Sequence, residues 1–126
     1  MTHPWTRVLV CGGRTYSDRR RVTLTIRKLI RRGAEVLIHG GANGADMLAV
    51  TAWQKCRPVT DPGSIIWFPA EWERLGLAAG PIRNQRMIDE GKPDVVIAFP
   101  GGRGTADMTA RAAAAGIPVV RIGERT

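Results

Sequence analysis

Ala98-Phe99-Pro100-Gly101-Gly102-Arg103-Gly104-Thr105-Ala106-Asp107 is the stretch that decides the fold. The apolar run Val95-Val96-Ile97-Ala98-Phe99 leads into it and reads as a buried strand. The Ala-rich run Ala106 to Ala115 follows and reads as a helix. Strand, Gly-rich turn, helix is the arrangement in which free amides of a first helical turn face an anion. On that reading Pro100, Gly101, Gly102 and Gly104 bring backbone close to a phosphate, Thr105 adds a hydroxyl and Arg103 a charge. The plainer reading is a tight strand-to-helix turn capped by Thr105. Three glycines in so short a turn favour the phosphate.

Two further segments repeat the pattern. Val8-Leu9-Val10-Cys11 runs into Gly12-Gly13-Arg14-Thr15-Tyr16-Ser17-Asp18, and Val36-Leu37-Ile38-His39 into Gly40-Gly41-Ala42-Asn43-Gly44-Ala45-Asp46. In an open parallel sheet the carboxyl ends of the strands share one edge, where ligands bind. Outward from these turns the chain alternates. Strands are expected at Arg7–Cys11, Glu35–His39, Ser64–Phe68, Asp94–Phe99 and Ile117–Ile122. Helices are expected at Asp18–Arg32, Gly44–Lys55, Gly80–Glu90 and Ala106–Ala115, with a loop from Pro69 to Ala79. In the first helix Val22, Ile26, Leu29 and Ile30 share a face, and Gly33 closes it as a C-cap glycine. Such alternation predicts an α/β fold, a parallel sheet with helices on both faces. The near-continuous apolar strands predict burial on both sides.

With 126 residues, 44% of them hydrophobic, residues 1–126 are expected to form one domain around one core. Met1 to Arg7 lacks the apolar stretch of a signal peptide, and no run reaches the roughly 18–20 apolar residues of a membrane span. Cys11 and Cys56 have no metal-ligand spacing and are too few for a disulfide framework. These features point to the cytoplasm, with no membrane partner. No metal and no resident cofactor is expected. The net charge is +8. Arg19-Arg20-Arg21 with Arg27, Lys28, Arg31 and Arg32 is either a solvated helix face or a nucleic-acid surface, and composition favours the former. Arg14, Arg83, Arg86 and Arg103 stand beside the glycine turns and suit a guanidinium clamp on a phosphate or carboxylate.

Gly12-Gly13-Arg14-Thr15-Tyr16-Ser17 is not G-x-G-x-x-G, and His39-Gly40 stands where a ribose-binding acid belongs. That argues against an ordinary NAD-dependent dehydrogenase. The motifs instead resemble the YspA/YpsA-related family of the SLOG superfamily. The resemblance is carried by Gly12-Gly13-Arg14, by His39 to Asp46, by Phe68 to Trp72, by Ala79 to Met87 and by Phe99 to Met108, in order. It implies a Rossmann-like domain with five parallel strands in order 3-2-1-4-5, a homodimer, and a small nucleotide-like ligand. More distantly the chain is similar to the Lonely Guy phosphoribohydrolases, whose Pro-Gly-Gly-x-Gly-Thr-x-x-Glu motif ends in a glutamate that contributes to catalysis beside an arginine. Pro100 to Thr105 match that motif, but the glutamate position is Met108. Asp107 lies one residue, about 100° of helix, away.

The candidate acids are therefore Asp107 and Glu71. Asp46 suits either a first-turn acid favoured by the helix dipole or an acceptor for a ribose hydroxyl. Asn43 and Asn84 suit turns and caps, or base and ribose contacts. His39 reads as a satisfied buried histidine. Trp72, between Glu71 and Glu73, either stacks on a base or anchors its loop. A nucleotide or ADP-ribose-like sensor or carrier needs only the glycine turns, Arg14, Arg83, Arg86 and Thr105. A nucleotide N-glycosidic hydrolase additionally needs a placed carboxylate. A single-stranded DNA binder related to Smf/DprA draws on the charge and on Gly-Ala-Asp, but aromatics are only 6% of the chain.

Overall fold

In a computed structural model of the chain, residues 5–123 are described. The N-terminal reading above rests in part on residues 1–4, outside this range. The elements are β1 (Arg7–Cys11), α1 (Arg19–Arg31), β2 (Val36–His39), α2 (Ala45–Cys56) and β3 (Ser64–Trp67). They continue with α3 (Trp72–Leu75), a 3₁₀ turn (Gly76–Ala78), α4 (Ala79–Asp89), β4 (Val95–Ala98), α5 (Arg103–Ala114) and β5 (Val119–Arg121). The five strands form one sheet, β3-β2-β1-β4-β5, every neighbouring pair parallel. This is the Rossmann-like order expected above. Because the order reverses at β1 and β4, their carboxyl ends and the turns that leave them lie side by side.

Val8, Val10, Val22, Ile26, Leu37, Ala49, Trp53 and Phe99 pack on one side of the sheet. Leu9, Ile38, Met87, Ile88, Val96 and Met108 pack on the other. Alternate strand residues point to opposite faces, so β1 and β4 feed both cores. Burial on both sides, expected for all five strands, holds at the centre and fails at the edges. In β3, Ile65 and Trp67 are exposed, because β3 is an edge strand. Asp18 caps α1, its Oδ1 accepting from the amide of Arg21 at 3.0 Å, and Gly33 follows the helix at a positive φ of 112°.

Two expectations need correction. The segment Pro69–Ala79 is not a simple loop, since it holds α3 and the 3₁₀ turn. And α5 starts at Arg103, not at Ala106, with Gly102 as its N-cap and no side chain capping it. Thr105 is thus inside the first turn and cannot be the cap. Helix geometry extends back through Gly104 because nothing there forbids it and Ala106 onward strongly favours it.

The glycine turns are shaped chiefly by one another. A Cβ on Gly12 would come within 2.5 Å of the Ala45 Cβ and 2.9 Å of the Phe99 Cβ. Gly44 has φ +80°, and a Cβ there would overlap the carbonyl oxygen of Gly13. Strain in φ and backbone overlap thus act together at this position. Gly44→Ala is expected to lower stability by about 2–4 kcal/mol in urea unfolding, where an ordinary surface substitution stays within about 0.5 kcal/mol.

Candidate functional site

The three turns border one groove of about 1220 Å³ along the carboxyl edge of the sheet. Its wall after β4 is the turn Pro100 to Thr105 and the first turn of α5. Among the described residues, no protein group accepts from the amides of Arg103, Gly104 or Thr105. Each is an orphan donor at the positive end of a helix dipole. Gly102 and Gly104 are the two glycines of this turn at which a Cβ would meet nothing within 4 Å. Gly101, by contrast, is packed against Thr105 and the Gly13 amide. The glycines therefore divide: Gly12, Gly13, Gly40, Gly44 and Gly101 let turns pack, while Gly102 and Gly104 keep the groove open.

The opposite wall comes from α3 and α4. Trp72 is 45% exposed, rests on Gly80, and has the Arg14 guanidinium 5.9 Å from its ring centroid. Its ring thus anchors α3 and still presents surface to the groove. Arg14 is exposed and, among the described residues, has no ion-pair partner. Arg103 is exposed at the start of α5 and borders the groove as well. Arg83 is half-buried. Its Nη1 donates to Gly40 O at 2.7 Å and Phe68 O at 3.3 Å, and its Nε to Asn84 Oδ1 at 3.0 Å. Among the described residues only its Nη2 lacks an acceptor, so the guanidinium braces the β2 and β3 turns from the groove wall and keeps one nitrogen uncommitted.

The carboxylates are largely spoken for. Asp46 is buried, and its Oδ2 accepts from the amides of Gly40 at 3.0 Å and Ala42 at 3.3 Å. Burial pushes its pKa up to about 6, against the pull of those amides and of the Arg83 charge. Asp46 is therefore a brace for the β2 turn. His39 is buried with Nδ1 accepting from the Gly41 amide at 2.9 Å. Burial and then the Arg83 charge hold it neutral, a satisfied core histidine. Asp107 borders the groove, where Asn84 Nδ2 donates to its Oδ2 at 2.9 Å and Arg111 Nε at 2.8 Å. Burial raises its pKa, but these two hydrogen bonds outweigh that and hold it below the usual range. Asp107 is an ion-paired carboxylate at neutral pH, a poor proton donor.

The other expected site residues fall elsewhere. Glu71 is exposed and paired with Arg74 at 3.0 Å, off the groove wall. Arg86 pairs with Glu90 at 2.9 Å and lies 5.5 Å over the Phe68 ring, also off the groove. Gly41 is pressed against Trp67, and Gly44 is held by the turn after β1, so neither borders the groove. Asn43 is exposed beside them. Asn84 is buried and fully engaged, joining α4 to α5 through Gly104 O and Asp107. Met108, at the glutamate position of the resembling hydrolases, is completely buried beneath the groove. Several contributors were missed, among them Leu77 and Met87 on the wall opposite α5 and Tyr16 in the turn after β1. Tyr16 borders the groove with its ring 5.4 Å from that of Phe99. Its place in the turn after β1 was the available signal.

The sequence profile of the YspA, cpYpsA-related SLOG family matches residues 6–75. The chain belongs to that family. It is also 39% identical over 127 residues to the "Gene 61 protein" of Mycobacterium phage D29, covering 94% of this chain and 98% of that one. Within the family fold, no helix among the described residues is long and apolar enough to cross a membrane.

The brace at Asp46 has a pH consequence. Its folded pKa of about 6 lies above the ordinary value near 4, so the folded state holds the proton more tightly. The stability this gives is complete below about pH 4 and is lost as pH rises through 6. Asp46→Asn keeps an acceptor for Gly40 and Ala42 and removes the buried charge. Thermal melts from pH 4 to 8 should show the variant more stable than the parent by about 1–3 kcal/mol at pH 7.5, converging near pH 4.

Proposed function

We propose that the chain is a cytoplasmic nucleotide-binding module, a sensor or carrier whose ligand places a phosphate against Gly101 to Thr105. The observation that carries this reading is the row of three unpartnered amides at Arg103, Gly104 and Thr105, opening on the groove between Arg14, Arg83 and Arg103. A phosphate there meets a helix dipole, backbone donors and guanidinium groups together, none of which reads a base. The Trp72 ring and the apolar side chains of Leu77 and Met87 line the part of the groove suited to a base. Membership of the SLOG family supports a nucleotide-related ligand. An ADP-ribose-like compound is within the reading, since a groove of about 1220 Å³ is at the large end for a small-molecule site.

Hydrolysis of an N-glycosidic bond is not part of this reading. Binding accelerates chemistry only if some group favours the transition state. Met108 has no acid to offer, Glu71 lies off the groove, and Asp107 is committed to Asn84 and Arg111. Incubation with AMP and related monophosphates should release free base far more slowly than about 1 per second, the floor of ordinary turnover. Faster release, abolished in Asp107→Ala, would make the protein a hydrolase.

Calorimetric titration with AMP, ADP and ADP-ribose tests binding. Arg14→Ala should weaken the tightest of these by roughly tenfold or more, the loss typical of a charge-assisted hydrogen bond. Arg86→Ala should leave affinity unchanged. Gly104→Ala adds a methyl where the fold has room, so it should weaken binding while its melting temperature stays within about 2 °C of the parent. Equal affinities in parent, Arg14→Ala and Gly104→Ala would remove the cradle from the site.

A further inference from the structure

We infer that the outer face of α1 is a docking surface for duplex nucleic acid, engaging the phosphate backbone without reading sequence. Residues 19–32 hold seven of the chain's 19 Lys and Arg and none of its 11 Asp and Glu. The remaining residues therefore carry 12 cations against 11 anions and are nearly neutral, so the net +8 is almost entirely a property of one helix. A general arginine bias in the chain would not concentrate this way. All seven side chains are exposed, and among the described residues none forms an ion pair.

The arrangement works against the helix itself. Arg19, Arg20 and Arg21 occupy the first turn, where the helix dipole disfavours cations, and the N-cap Asp18 is the one acid set against them there. Arg27 with Arg31, and Lys28 with Arg32, are like-charge pairs at i and i+4. A face shaped only for solvation would alternate signs, as α4 does with Arg86 and Glu90. An unpaired, single-sign face is stabilised when a polyanion supplies the missing charge.

The geometry suits a duplex. Arg20, Arg27 and Arg31 form one stripe at i, i+7 and i+11, with Arg21, Lys28 and Arg32 beside it. The 13-residue helix is roughly 20 Å long, enough to follow several phosphates of one strand. Its apolar residues Val22, Ile26 and Leu29 are buried in the domain, and Leu24 is the one exposed large hydrophobic residue on the helix. With no apolar face to insert, α1 is unsuited to a lipid surface. With no aromatic side chain, it lacks the stacking platform that single strands use. This surface is independent of the groove, although Tyr16 to Asp18 connect the two.

The test uses the full chain and a fluorescein-labelled 20-base-pair duplex of mixed sequence, read by anisotropy from 50 to 250 mM salt. The expected result is binding with a log–log salt slope of about −3, as for three to four neutralised phosphates, and equal affinity for a duplex of unrelated sequence. Arg20→Gln/Arg27→Gln/Arg31→Gln should weaken binding at least tenfold and flatten the slope, with an unchanged circular dichroism spectrum. Lys55→Gln/Arg74→Gln/Lys92→Gln removes as many cations elsewhere and should weaken it less than twofold. Arg14→Ala should bind duplex like the parent, which separates this surface from the groove. No binding at 50 mM salt overturns the inference, as do equal losses in the two triple variants. Stronger association with phosphatidylcholine vesicles containing 30% phosphatidylserine than with duplex would overturn it in favour of a membrane.

Discussion

Gly13 is the hub on which the rest of the site depends. Its amide donates to Pro100 O at 2.8 Å, tying the turn after β1 to the turn after β4. Its carbonyl accepts from Ala45 N and Tyr16 N, each at 3.2 Å, tying in the start of α2 and closing its own turn. Three turns from three strands are thus joined through the backbone of one residue. Side chains larger than hydrogen at Gly12, Gly44 or Gly101 would drive them apart. The free amides of α5 face the groove because Pro100 is held from behind by Gly13.

A second layer of bracing surrounds that hub. Asp46 holds the amides of Gly40 and Ala42, Arg83 holds the carbonyls of Gly40 and Phe68, and Asn84 spans from Arg83 to Asp107 and Gly104. Asp46, Arg83 and Asn84 are thus committed to backbone, and Asp107 to the side chains of Asn84 and Arg111. Among the described residues, the groups left uncommitted at the groove are the cations Arg14, Arg103 and the Nη2 of Arg83, the α5 amides, and the hydroxyls of Thr15, Tyr16, Ser17 and Thr105. A site built this way is suited to holding an anion and poorly equipped to move protons, since the carboxylates of Asp107 and Asp46 are each already shared between two donors.

Much of the fold was legible because the apolar runs of β1, β2 and β4 each end at a glycine turn, and α1, α2 and α5 each follow one. The exposure of β3 was not legible. Ser64-Ile65-Ile66-Trp67 looks as apolar as Val36-Leu37-Ile38-His39, and only the strand order makes one an edge and the other interior. The same limit applied to Arg83 and Arg86. Both stand on α4 near the Gly80-Pro81 pair, but burial of Met87 and Ile88 sets the helix rotation, leaving Arg83 on the groove and Arg86 over Phe68. Spacing names the pair and cannot choose between them.

Local sequence is enough to specify the parallel α/β architecture, the three glycine turns on one edge, and the absence of a glutamate at position 108. These follow from local patterning, from apolar period, turn chemistry and residue identity, which need no partner to be read. Which glycines pack and which stay open, which arginine borders the groove, and the bracing of the turns by Asp46 and Asn84 emerge only in the folded chain. Those outcomes depend on what lies across space from each residue. A Cβ at Gly12 is excluded by Ala45 and Phe99, 33 and 87 positions away in the chain, and no local pattern encodes such a neighbour.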